Sequence, residues 1–101
     1  MIGIEDFKIE SVPHHAIIAV ATSEPAYEMD RTLIAKDWNS YGDFIVIEGC
    51  HCSCYDFDET RWSATKYTEE ELLKVLNGWK ESGYGSETLI VPIALAALGK
   101  N

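Results

Sequence analysis

The sequence predicts an α+β fold: one small domain in which a short antiparallel sheet packs against two or three helices. Three observations predict it. Apolar, β-branched runs of strand length occur at His14 to Ala21 and at Asp43 to Glu48, where burial suits a strand better than a helix. A stretch with a helix start signal and helical apolar spacing follows Thr68. No internal repeat, low-complexity segment or linker divides the 101 residues, so 1–101 reads as a single domain. A chain of this length buries about two-thirds of its unfolded surface.

Taken in order, residues 1–12 mix polar and apolar side chains, with Ile9 and Val12 expected to point inward. Pro13 starts a new element, and the run from His14 to Ala21 contains the branched residues Ile17, Ile18 and Val20. Ser23-Glu24-Pro25 suits a turn or a helix start. Over 26–37, Tyr27, Met29, Leu33 and Ile34 fit a loose helical stripe, and a strand at 31–36 fits nearly as well. Asn39-Ser40-Tyr41-Gly42 is a turn by composition. Phe44-Ile45-Val46-Ile47 is the clearest strand, Gly49 permits a bend or bulge, and the cysteine segment after it can continue the strand.

Asp56 to Ser63 is acidic and aromatic and reads as a loop. Thr68 and Glu71 then have capping-box spacing, and Tyr67 and Leu72 have hydrophobic-staple spacing. Leu72, Leu76 and Trp79 form the buried stripe of this helix, and Ser82-Gly83-Tyr84-Gly85 ends it. Ser86 can cap a second helix, which Pro92 either kinks or begins, and Gly99 suits its end.

Eight Lys and Arg face 17 Asp and Glu, a formal net charge of -9. Such a balance repels phosphate backbones and anionic lipid, which argues against direct nucleic-acid binding, and it favours a partner with a basic surface. The acids are unevenly placed. Between Lys36 and Arg61 lie Asp37, Asp43, Glu48, Asp56, Asp58 and Glu59 with no basic residue. The chain lacks the roughly 20-residue apolar run of a membrane span, and its acidic start, Met1 to Asp6, is unlike a secretory signal. The expected location is a cytoplasm, and the oligomeric state is not written in these features.

The densest chemistry is Cys50, His51, Cys52 and Cys54. Thiolates and imidazole are zinc ligands, and His14 or His15 could complete a set. Alternating single-residue spacing is tighter than the two to four residues that let paired cysteines wrap an ion, so a strand packing its cysteines as small hydrophobes competes with that reading. A cysteine nucleophile needs a base, and His51 lies on the opposite strand face from its neighbours. A thiol-redox role is the remaining chemistry of this cluster. Phosphate-binding loops, serine elbows and zincin motifs are missing from the sequence, so neither a catalytic set nor a resident cofactor is expected. Asp56, Asp58 and Glu59 lack the glycine and final glutamate of a calcium loop. With Tyr55 and Trp62 they form the expected protein-interaction set: aromatic anchors ringed by acids that steer an encounter.

Gly49-Cys50-His51-Cys52-Ser53-Cys54-Tyr55-Asp56-Phe57-Asp58, then Trp62, then Lys66-Tyr67-Thr68 leading into a Glu-rich helix, resembles a motif of small uncharacterised proteins of bacteriophages and prophages. The resemblance covers about residues 41–79. It implies a phage setting and expression in a bacterial host cytoplasm. It carries over a setting and no activity. Two functional expectations follow. The preferred one is a non-enzymatic phage accessory protein that binds a host protein, as an anti-defence, anti-CRISPR-like inhibitor does when its negative face occupies a basic nucleic-acid groove. The other is a small metal-binding or thiol-redox protein that uses Cys50, His51, Cys52 and Cys54, with zinc as the metal.

Overall fold

Five antiparallel strands form a single sheet, and both α-helices lie on one of its faces. The structure is a computed structural model that describes residues 2–5, 7–23, 28–39, 42–52, 62–83 and 85–99. The strands are β1 (Ile2–Ile4), β2 (Ile17–Ser23), β3 (Glu28–Lys36), β4 (Asp43–Cys52) and β5 (Trp62–Thr68), and the helices are α1 (Glu69–Ser82) and α2 (Ser86–Ala97). Sheet order is β1-β5-β4-β3-β2. The predicted α+β class and its antiparallel sheet are therefore present.

Both faces of the central strands are buried. On the helix face, Ala19, Ala21, Ile34, Phe44 and Val46 pack against Leu72, Leu76, Ile90, Val91 and Ala94. On the second face, Leu33, Ala35, Ile45, Ile47 and Ala64 are covered by Val12 and Ala16, with Ile4, Phe7, Ile9, Trp38 and Trp62 around them. An antiparallel sheet with one wet face alternates apolar and polar residues. Here the N-terminal segment closes the second face, which is why residues 44–47 are apolar without alternation. Ile9 and Val12 point inward as expected.

Several boundaries differ from the sequence reading. His14–Ala16 is a 3-10 turn, closed by the Ala16 amide on the Pro13 carbonyl at 3.0 Å, so the strand begins only at Ile17. The ambiguous segment resolves as a strand, because Leu33, Ile34 and Ala35 fill both sheet faces and leave no solvent side for a helix. Gly49 makes no bulge: register runs unbroken from Arg31 through Gly49 to Trp62. The register shift of the sheet falls instead between Ile17 and Ala19. Trp62 and Ser63 belong to a strand rather than a loop, and residues 56–61 lie outside the described part.

The helices follow their start signals. Thr68 Oγ1 accepts from the Glu71 amide at 3.2 Å, and Glu71 Oε1 accepts from the Thr68 amide at 3.1 Å, the reciprocal pairing of a capping box. Leu72 and Leu76 are fully buried, with Tyr67 and Trp79 packed beside them. α2 starts at Ser86, so Pro92 does not begin it. Among the described residues, no helix is long and apolar enough to cross a membrane. Truncating Leu76 to Ala is expected to lower the unfolding free energy by about 2–5 kcal/mol, measured by urea denaturation; a loss under about 1 kcal/mol contradicts its place at the centre of the helix-facing core.

Candidate interaction site at the acidic end of the sheet

Strand direction gathers the chemistry at one end of the sheet. β2 ends there at Ser23, β3 begins at Glu28, β4 ends at Cys52 and β5 begins at Trp62. Glu48 shares the helix face with Phe44 and Val46, and Asp30 shares it with Thr32 and Ile34, by the two-residue strand period. The N-terminus of α2 comes down on these acids.

Asp30 performs the capping that the sequence assigned to Ser86. Its Oδ2 accepts from the Ser86 amide at 2.7 Å and from the Ser86 hydroxyl at 2.6 Å. Because the Ser86 proton goes to the carboxylate, the 2.8 Å contact between Ser86 and Thr32 is donated by Thr32. Thr32 and Ser86 are both buried, and the relay satisfies both hydroxyls. The carboxylate also complements the positive end of the helix. Gly85, just before α2, has φ +58° and ψ -119°, and a Cβ there would lie 2.6 Å from Asp30 Oδ2. Only glycine permits both that backbone and that approach.

Glu87, on the first turn of α2, meets Glu48. Burial, then the hydrogen bond with Glu87, then the charges of Glu87 and Asp30 push the Glu48 carboxyl from an ordinary 4.5 up to about 7. Tyr67 is also pushed up, first by burial and then by the Glu48 charge. Three carboxyl groups from β3, β4 and α2 thus converge where segment 53–61 joins the sheet.

The six acids of the basic-free window do not share a face. Asp37 and Asp43 stand at the opposite end, with Lys66 Nζ 3.1 Å from Asp37 and 3.5 Å from Asp43. Lys66 is held charged above its ordinary range, first by its hydrogen bond with Asp37. Beside this group a cleft of about 500 Å³ opens between the N-terminal segment and the sheet, lined by Ile4, Phe7, Trp38, Asp37 and Lys66 among others. Glu48 sits on the helix face, with Asp30 and Glu87 as its companions.

Of the interaction set, Tyr55, Asp56, Asp58 and Glu59 lie outside the described residues, as does Cys54. Trp62 is half-buried on the second face and packs against that core, with its indole nitrogen buried. Trp38 packs on the same cluster and Tyr67 on the helix-facing one, so these aromatics line the core. Cys50, His51 and Cys52 continue β4, opposite Asp30, Met29 and Glu28 respectively. Among the described residues, no group of three or more His, Cys, Asp or Glu is disposed to hold a metal ion. Asp30 and Glu87 were missed by the sequence reading, which makes Ser86 a helix cap without its carboxylate partner. The signal available was Gly85-Ser86-Glu87, a helix start with an acid in its first turn, but its carboxylate partners come from distant strands.

No protein-family model, curated protein or solved structure matches the chain.

The Glu48 shift has a definite sign. The folded protein holds a proton on Glu48 up to about pH 7, whereas the unfolded chain releases it near 4.5. The associated stability is fully present below about 4.5 and is lost as pH rises to about 7. Glu48→Gln is therefore expected to remove a fall in melting temperature between these pH values, measured by thermal denaturation across pH in wild type and variant. Identical pH profiles would sink the assignment.

Proposed function

We propose that this protein is a non-enzymatic binding protein, of a phage accessory kind, that engages a basic surface of a host protein through the acidic end of its sheet. The observation that carries this reading is the convergence of Asp30, Glu48 and Glu87 at the end where the segment bearing Asp56, Asp58 and Glu59 joins the sheet. Sequence separation is irrelevant to such a field; above about pH 7, where Glu48 also ionises, carboxylates of distant origin add their potential at one place. A net charge of -9 steers the whole molecule toward a cationic groove of the kind that ordinarily holds nucleic acid. An anti-defence inhibitor acting by occupying such a groove is the most specific form of the proposal.

The test is affinity capture from bacterial lysate, followed by binding measurements with the captured partner across salt concentrations. Asp56→Asn, Asp58→Asn and Glu59→Gln together are expected to weaken binding without unfolding the domain, since acids in a segment that the sequence reads as a loop carry little stability. Raising salt is expected to slow association, because exposed charges are screened within about 8 Å at physiological ionic strength. Affinity indifferent to both salt and the triple substitution overturns the acidic end as the binding surface.

A second reading rests on the thiols and imidazole of Cys50, His51, Cys52 and Cys54. It assigns the protein to zinc binding or thiol redox chemistry. The preferred reading expects tag-free protein to be isolated with free thiols and without stoichiometric zinc. Elemental analysis and thiol titration decide between them: one zinc per chain, with loss of the fold on chelation, favours the second reading.

A further inference from the structure

The sheet order leaves β1 and β2 at its two edges. β1 is three residues long, whereas β2 runs for seven, Ile-Ile-Ala-Val-Ala-Thr-Ser. Edge strands are ordinarily blunted by Lys, Pro, inward charges or bulges. β2 has neither a charge nor a proline. Its bulge lies at Ile17–Ala19 and leaves Ala19–Ser23 in continuous register with β3. Among the described residues, no strand pairs with the outer edge of β2.

A second feature stands directly beside this edge. α1 packs on β5 and β4, and α2 packs on β2 and β3, so one flank of α2 meets α1 and the other overhangs the β2 edge. At about 100° per residue, Ser86, Ile90 and Ala94 turn toward the sheet, and Val91, Leu95 and Leu98 form a flank that packs on the helix-facing core. Leu89, Ile93 and Ala97 form the opposite flank. Leu89 is 50% exposed and Ile93 45%; Val20, on the face of β2 opposite α2 because Ala19 and Ala21 turn to the helices, is 43% exposed, and these three are the large exposed hydrophobics of the described residues.

We propose that this chain pairs with a second copy of itself along the outer edge of β2, with the Leu89–Ile93–Ala97 flank of α2 meeting the same flank of the partner across a two-fold axis. Charge selects this occupant. Two copies at -9 each repel over most of their surface. β2 carries no charged residue, and α2 carries only Glu87, which turns to Glu48. Copies can therefore meet here without bringing like charges together, while a cationic partner is drawn to the acidic end instead. Geometry agrees. With strands roughly 4.8 Å apart, a helix lying over the β2–β3 boundary sits about 5 Å from the two-fold axis, which places the paired helices about 10 Å apart, the upper end of the packing distance between helices, as side chains the size of Leu89 and Ile93 require. The result is one continuous antiparallel sheet made of two five-stranded halves, in an isologous interface.

Analytical ultracentrifugation of the intact chain at up to about 100 µM, a range that detects even weak self-association, tests this. The expected result is a concentration-dependent species of twice the 11.3 kDa chain mass. Its formation should strengthen with added salt, which screens repulsion between the copies. That response is opposite to the one expected for a basic partner at the acidic end, so the two proposals fail separately. Ile93→Glu and, independently, Val20→Lys should each weaken the dimer by tenfold or more, with circular dichroism confirming the fold. Hydrogen exchange on the unmodified chain adds a reading free of substitutions: amides of Ala19–Ser23 should gain protection as concentration rises. A monomer at every concentration, a dimer indifferent to both substitutions, or unchanged protection in Ala19–Ser23 overturns the proposal.

Discussion

The Asp30 carboxylate accepts hydrogen bonds from both the amide and the hydroxyl of Ser86, 56 residues away in sequence. That contact fixes where α2 begins and how it is rotated on the sheet. Once the Ser86 amide is held over β3, Ile90 and Ala94 fall onto the core, Glu87 falls against Glu48, and Leu89 and Ile93 are left on the flank beyond β2. A helix N-terminus needs an acceptor for its free amides. Here a distant strand supplies it, so one interaction serves stability, the acidic cluster and the orientation of the exposed apolar flank together.

The second constraint is the closure of both sheet faces in a chain of 101 residues. Two helices cover one face, and the segment from Ile4 to Ile17 covers the other with Phe7, Ile9, Val12 and Ala16. The central strands β3 and β4 are consequently apolar on both sides. The strands flanking them are less fully enclosed: β5, between β1 and β4, keeps Lys66 beside Asp37 and Asp43, and the edge strand β2 keeps Val20 in solvent. Charge and exposed apolar surface are thereby pushed outward to different parts of the molecule, the carboxyl cluster to one end of the sheet and the uncharged surface to one side.

Local signals were readable where partners lie within a few residues. The Thr68–Glu71 capping box and the Leu72–Leu76 stripe are properties of one helical segment, and both hold. β5 was harder to read. Trp62, Ala64 and Lys66 alternate with Ser63, Thr65 and Tyr67, and neither set is uniformly apolar, because Trp62 and Ala64 pack on one core while Tyr67 packs on the other. The strand is stabilised by its ladder with β4 and by β1 on its far side, neither of which appears in a periodicity. Gly49 looked like a bulge signal. In the sheet it is a regular position between Arg31 and Trp62.

The sequence by itself determined the fold class, the strong acidity, the start of α1 and the apolar content of the central strands, because composition, capping and burial period are local properties. Tertiary structure decided which acids meet. Asp37, Asp43 and Glu48 are neighbours in an unbroken acidic window, yet a strand of the sheet carries Glu48 to the opposite end from the other two. Asp30 and Glu87, separated by most of the chain, become the companions of Glu48. Electrostatic interaction depends on distance through space, and strand direction, helix placement and register set those distances only when the chain is folded.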